Sequence, residues 1–199
     1  MSIEEKVEGI VLKAIPFKER DRIVTLYTKE QGTISLYVRG LSKKKPTLTN
    51  LTTPLSRGEF LFRKGKNDLH TFIDGTIFDL HLNLRTSYKH MEMGGKFLQA
   101  IHHTQLPCKK APALYALLAS FLKKLGTASF PETLWASFQL KLLTHEGLLC
   151  LDQHRSFSET DWKLLVFLTH ARQFDPLLNL ELPSSLLKEI EALFATLIS

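Results

Sequence analysis

The hydrophobic period of this chain changes near residue 80, and that change limits the folds open to it. Over residues 7–78 the period is two. Ile34, Leu36 and Val38 alternate with Ser35, Tyr37 and Arg39, which puts the three aliphatic side chains on one face of a strand. Ile23, Thr25 and Tyr27 set against Val24, Leu26 and Thr28 make a second β-rich run, and Gln31-Gly32 between the two reads as a hairpin turn. Residues 9–15, ended by Pro16, then 59–63 and 69–78, with Gly75 as a bulge, complete five short strands. So small a sheet exposes its edges, and closure into a barrel removes them.

Beyond residue 80 the period is helical. Leu114, Leu117, Leu118, Phe121, Leu122 and Leu125 fall at i, i+3, i+4, i+7, i+8 and i+11, one apolar stripe. Leu134, Phe138 and Leu142 make a second stripe, with Gly147 near its end. A third helix starts at Ser158, whose hydroxyl caps while Asp161 reaches back, and a fourth follows Pro183 through Leu186, Ile190, Leu193 and Leu197. An earlier helix through Tyr88, Met91, Leu98 and Ile101 is interrupted by Gly94-Gly95; each glycine costs about 1 kcal/mol relative to alanine, so a kink or close packing is expected. The expectation is a mixed α+β chain, with a five-stranded β-barrel over residues 1–80 and an α-helical domain over 81–199. At 199 residues and 44% apolar, both parts have material for a core.

No apolar run reaches the roughly eighteen residues of a membrane span. The start, MSIEEKVEG, is acidic and has no apolar core, so a signal peptide is not expected. Two cysteines, Cys108 and Cys150, are too few for a disulfide framework or a four-cysteine zinc site, which suits a reducing cytoplasm. The net charge of +6 is unevenly spread. Residues 1–66 hold 14 Lys/Arg against 7 Asp/Glu, and 67–80 hold three acids and no Lys/Arg. Residues 81–124 hold 7 basic and 1 acidic, and 125–199 hold 5 and 9. A basic first two-thirds joined to an acidic tail points to a polyanionic partner.

The most informative stretch is Val38-Arg39-Gly40-Leu41-Ser42-Lys43-Lys44-Lys45-Pro46. A strand delivers Arg39, Gly40 permits a sharp turn, and Lys43, Lys44 and Lys45 occupy the loop, where ammonium groups can follow a phosphate backbone without reading bases. Arg20 and Arg22, in the loop before the second strand, and Arg63, Lys64 and Lys66, near the next hairpin, extend the track. Tyr37 is a candidate for base stacking if it faces outward, whereas Phe62 is expected in the core. No metal site is expected: His102 and His103 point about 100° apart on a helix, and His145, Cys150 and His154 match no standard zinc spacing. Catalytic signatures are missing as well. Gly65-Lys66 lacks the upstream glycine of a phosphate loop, and Glu19 and Asp21 among Lys18, Arg20 and Arg22 read as a salt-bridged turn. Neither an enzyme nor a cofactor is expected.

The run from Glu8 to Lys45 carries an opening strand with Gly9, Glu19 before a second strand, Thr28 and Gly32 around the turn, and Arg39-Gly40 before a basic loop. With Asp68-Leu69-His70-Thr71, and Phe138-Gln139-Leu140-Lys141-Leu142-Leu143 closing on Gly147, it resembles the bacterial RecO family of DNA repair and recombination mediators. The resemblance implies an N-terminal OB-fold followed by a C-terminal helical domain. It also implies a protein that binds single- and double-stranded DNA, anneals complementary strands, and helps load recombinase onto DNA coated by single-strand-binding protein. The implied partners are a RecR-type mediator and the tail of the single-strand-binding protein. The implied setting is the bacterial cytoplasm, at the nucleoid when bound to DNA. Two departures stand out. Many relatives carry a four-cysteine zinc module after the helix that closes on Gly147, whereas only Cys150 stands there, so no structural zinc is expected. Some relatives place an arginine for the tail's carboxylate where this chain reads Trp135-Ala136-Ser137; Lys123, Lys124 or Lys141 are substitutes. An RNA-binding OB module and a non-catalytic protein adaptor are the alternatives.

Overall fold

The computed structural model describes residues 3–42, 44, 46–66, 68–149 and 157–198. Lys43, Lys45, Cys150 and His154 lie outside the described residues. Five strands, β1 (Glu4–Phe17), β2 (Asp21–Thr28), β3 (Gly32–Val38), β4 (Arg57–Arg63) and β5 (Leu69–Asp79), close into a barrel in the order β1-β2-β3-β5-β4. All neighbours pair antiparallel except β3 and β5. A short helix, α1 (Pro46–Leu51), joins β3 to β4. This is an OB-fold. The period of two is the reason it closes: Val7, Val11, Val24, Leu26, Leu36, Val38, Phe60 and Phe62 all point into one buried cluster. Phe62 has no exposed surface and stacks on His70 at 5.0 Å.

Two strand details differ from expectation. Strand β1 runs through Pro16, which pairs with Arg22. Beyond Ile10, β1 has left its ladder with β4, so one side of the strand makes no demand for the N–H that proline lacks. Gly75 is not a bulge: it pairs with Phe60, and the shifts of register fall between Arg57 and Gly58 and between Leu61 and Phe62. A Cβ on Gly75 would sit 2.6 Å from the Glu59 carbonyl oxygen and 2.7 Å from Leu51 Cδ2, so this glycine admits α1 to the barrel.

The helices are α2 (Tyr88–Thr104), α3 (Pro112–Leu125), α4 (Pro131–His145), α5 (Glu159–His170), α6 (Asp175–Leu178) and α7 (Ser184–Ile198), preceded by a 3₁₀ turn at Leu82–Thr86. Contrary to expectation, α2 is continuous through Gly94-Gly95. Burial of Met93, Phe97, Leu98 and Ile101 along it outweighs the roughly 2 kcal/mol that two glycines cost. Helix α4 is not a single stripe. Ala136, Ser137, Gln139 and Leu140 are buried as well as Leu134, Phe138 and Leu142, because neighbours enclose it. The cap of α5 is as read: Asp161 N–H donates to Ser158 Oγ at 3.1 Å, and the Ser158 hydroxyl donates back to the Asp161 carboxylate at 2.6 Å.

The chain divides into two compact units, Met1–Leu82 with Leu98–Ala119, and Asn83–Phe97 with Ser120–Ser199. The unit that holds the barrel thus also holds Leu98–Ala119. Within that unit, Glu8 Oε1 accepts from Arg57 at 2.6 and 2.9 Å and from the Tyr115 hydroxyl at 3.1 Å. Within the other unit, Phe97, Phe121, Trp135 and Phe138 form an aromatic cluster, the Phe97 and Phe138 rings lying 4.7 Å apart.

His81 gives the barrel unit a pH dependence. Its ring is buried, with Nδ1 2.9 Å from the Leu55 carbonyl oxygen and Nε2 3.6 Å from the Asp79 carboxylate. Burial, aided by Arg57, holds its pKa below the ordinary 6.5 against the pull of Asp79. The unfolded chain therefore binds more protons than the folded one below pH 6.5, and stability falls as pH drops through that value. The expected result is a lower urea midpoint at about pH 5.5 than at about pH 8, with a smaller drop in His81→Gln. An unchanged drop in that variant would assign the effect to other groups.

Candidate nucleic-acid interface

A bulge in β1 decides which side chains face out. Val11 pairs with Leu26, but Lys13 pairs with Thr25, so Leu12 is an extra residue. Before it, Val7 and Val11 point into the core; after it, Ala14 does, and Lys13, Ile15 and Phe17 turn outward. Two rows follow from the registers. Lys13, Thr25, Ser35 and Leu69 lie side by side, as do Ile15, Ile23, Tyr37 and Thr71. Phe17 stands beside Asp21 at the end of the hairpin. The far end of this outer surface is covered within the same unit. Ile10 and Tyr27 have no exposed surface, and the Tyr27 hydroxyl donates to the Ala111 carbonyl. The near end is open: Ile15 is 44% exposed and Phe17 42%. Neither residue is legible as outward in the sequence, because an uninterrupted period of two from Val7 would turn both inward.

Asp21 organises this end. Its carboxylate accepts from the Tyr37 hydroxyl in a short hydrogen bond and from Gly40 N–H at 3.1 Å. These donors, the hydroxyl first, hold the Asp21 carboxyl below its ordinary range, and the hydrogen bond to that carboxylate, with burial, holds the Tyr37 phenol above its own. Leu41 N–H donates to the Arg20 carbonyl at 2.7 Å, so the root of the lysine loop is tied to the β1–β2 turn. Gly40 sits at φ +70°, a conformation that favours glycine and sets the turn after Arg39. The anticipated salt-bridged turn is thus a hydroxyl and backbone clamp. Around it, the Arg39 guanidinium lies 4.9 Å from the Tyr37 ring centre and Lys18 Nζ 5.5 Å from that of Phe17. Phe17 and Tyr37 meet edge to face at 5.7 Å.

The basic residues named from sequence separate. Arg20, Arg39 and Lys44 are exposed around this end. Lys64 and Lys66 are exposed in the β4–β5 turn; Leu69, the first residue after it in β5, pairs with Ser35. Ser35 in β3 and Arg39 just past its end are four residue steps apart, about 13 Å at ~3.3 Å per residue. Lys64 contacts the Glu5 carboxylate at 2.7 Å and draws its pKa down, yet an exposed pair of this kind is weak enough to exchange for phosphate. Arg22 lies inside β2 and not in the loop expected before it; it shares the inward set of Val24 and Leu26, and reaches Thr52 Oγ1 at 3.4 Å.

In the second unit, Lys123 is exposed and Lys124 half-buried in the last turn of α3. Lys141 donates to the Thr169 and Ala171 carbonyls at 2.9 and 2.8 Å, satisfying acceptors left open at the C-terminus of α5, and burial lowers its pKa. Among the described residues no group of three or more His, Cys, Asp or Glu is arranged to hold a metal ion. The His102 and His103 rings lie 6.0 Å apart with planes at 68°. Among the described residues no helix is long and apolar enough to cross a membrane.

Residues 1–81 match the family described as recombination protein O, N terminal. The chain is 26% identical over 221 residues to the DNA repair protein RecO of Chlamydia pneumoniae, covering 96% of this chain and 87% of that protein. It is 25% identical over 222 residues to the DNA repair protein RecO of Chlamydia trachomatis serovar L2, covering 96% and 91%. With the DNA repair protein RecO of Halalkalibacterium halodurans the identity is 29% over 157 residues, 78% of this chain and 61% of that protein.

Proposed function

We propose that this chain, which belongs to the RecO family, serves DNA repair and recombination as a non-enzymatic mediator that binds single and double strands and anneals complementary ones. The observation that carries this reading is the open end of the outer sheet surface, framed by basic residues of the β1–β2 turn, the β3–α1 loop and the β4–β5 turn. Arg20, Arg39 and Lys44 would take phosphates at the open end, Lys64 and Lys66 beside the Ser35–Leu69 pair, and Lys43 and Lys45 are proposed with them from the sequence. Binding of this kind releases counterions and leaves base edges unread. Two strands neutralised on one surface repel each other less and keep their edges free to pair, which is annealing.

Recombinase loading onto DNA coated by single-strand-binding protein would follow with a RecR-type mediator and the tail of the coating protein as partners. Lys123 and Lys124 are the better candidates for that tail, since the Lys141 ammonium is engaged by two carbonyls. On this reading the protein works in the bacterial cytoplasm, at the nucleoid when DNA is bound. The deciding experiment is annealing of complementary oligonucleotides with and without a coat of single-strand-binding protein. Acceleration in both is expected. No acceleration of bare strands, or a clear preference for RNA over matched DNA in competition, would sink the reading.

A further inference from the structure

We propose that Phe17, with the Ile15–Ile23–Tyr37 row beside it, is the seat of one unpaired nucleobase, and that this seat gives single strands an advantage over duplex. The inference rests on the reading that the barrel binds DNA, and adds to it a site for the base rather than the phosphate.

Three observations choose a base as the occupant. The aromatic and aliphatic surface at Phe17 and Ile15 stays open, while the other end of the same sheet surface is sealed by Leu98–Ala119 of its own unit. A ligand for it must be apolar on its face and anionic around its rim, because Lys18 lies over the Phe17 ring and Arg39 over Tyr37. A nucleotide has that division of character: a π-face and a phosphate on either side. Finally, the geometry is set in advance. Asp21 fixes the Tyr37 hydroxyl, and Tyr37 meets Phe17 edge-on, so the Phe17 ring is held by its neighbour rather than left to rotate. The Asp21 charge also turns phosphates away from the apolar row.

An exposed cation–π contact is weaker than a base stack, so an arriving base displaces the Lys18 ammonium, which becomes free to meet a phosphate. Bases inside a duplex are stacked on one another and cannot enter. The seat therefore discriminates by strandedness and not by sequence, since every base has a π-face.

The test compares wild type, Phe17→Ala and Phe17→Trp by fluorescence anisotropy on three labelled probes of equal length: a thymine single strand, the same strand with abasic sites throughout, and a duplex. Phe17→Ala is expected to lose about fivefold or more on the thymine strand and less than about twofold on the other two, with an unchanged salt slope. Phe17→Trp is expected to keep the single-strand affinity. Equal single-strand affinity in wild type and Phe17→Ala would overturn the seat while leaving DNA binding intact. An equal loss on all three probes would also overturn it, making the ring a structural support. Failure of the wild type to bind any probe at low salt would instead overturn the underlying reading.

Discussion

Replacing Arg39, Lys43, Lys44 and Lys45 together by alanine is expected to flatten the salt dependence of duplex binding by up to about 3.6 in log K against log salt, at about 0.9 per lost phosphate contact. On a single strand the corresponding change is up to about 2.8, because condensed counterions are fewer. This is the largest binding effect expected of the chain, and its origin is local. Gly40 and Leu41 are tied to Asp21 and the Arg20 carbonyl, so the loop leaves the barrel from an anchored root beside Arg39. The check is a titration of one labelled duplex at several salt concentrations. A slope equal to wild type would remove these residues from the interface, whatever happened to affinity at a single salt. The contrast with Phe17→Ala separates two kinds of contact. Loss of basic residues changes the slope on every probe, and loss of the ring changes affinity only where a base is unpaired.

The largest stability effect is expected from Phe138→Ala. The ring has no exposed surface and lies 4.7 Å from Phe97 and 5.4 Å from Phe121, with Trp135 at 6.4 Å. Helix α4 is buried on several sides at this level, so the surroundings cannot collapse from one open flank to fill the space. Truncating a buried phenylalanine costs about 3–5 kcal/mol, against a total stability of about 5–15 for a domain. The urea midpoint followed by Trp135 and Trp162 fluorescence should fall with little change in slope. A loss under about 1 kcal/mol would mean that the cluster repacks around the vacancy, contrary to the enclosure described.

The place of Arg39 just past the end of β3 is legible in the residues, because a strand with period two ends at Val38 and a glycine follows Arg39. That of Phe17 is not. Extrapolating inward positions from Val7 and Val11 buries Ile15 and Phe17, and only the inserted Leu12 reverses them. Nothing in the residues around Leu12 marks a bulge; it is set by the pairing of β1 with two different strands at its two ends. Arg22 misled for a related reason. It is expected in the loop before the second strand, but it lies within β2 and reaches Thr52, just past the end of α1. Lys141 looked like a free cation in the sequence, and the end of α5, 28 and 30 residues away, claims it.

By itself, the sequence determined the change from strand to helix, the inward set of β3, the cap of α5 and the end of β3 before Arg39 and Gly40. Each of these follows from neighbours within about ten residues: which face is apolar, which hydroxyl precedes a helix, which glycine ends a strand. The tertiary structure decided which part of the barrel's outer surface stays open and which cations remain available there. Those outcomes turn on long-range contacts. Leu98–Ala119 shares a compact unit with the barrel, Ala111 accepts from Tyr27, and Tyr115 donates to Glu8. A residue facing away from a core is exposed only if no distant segment comes to cover it, and a local pattern carries no record of that.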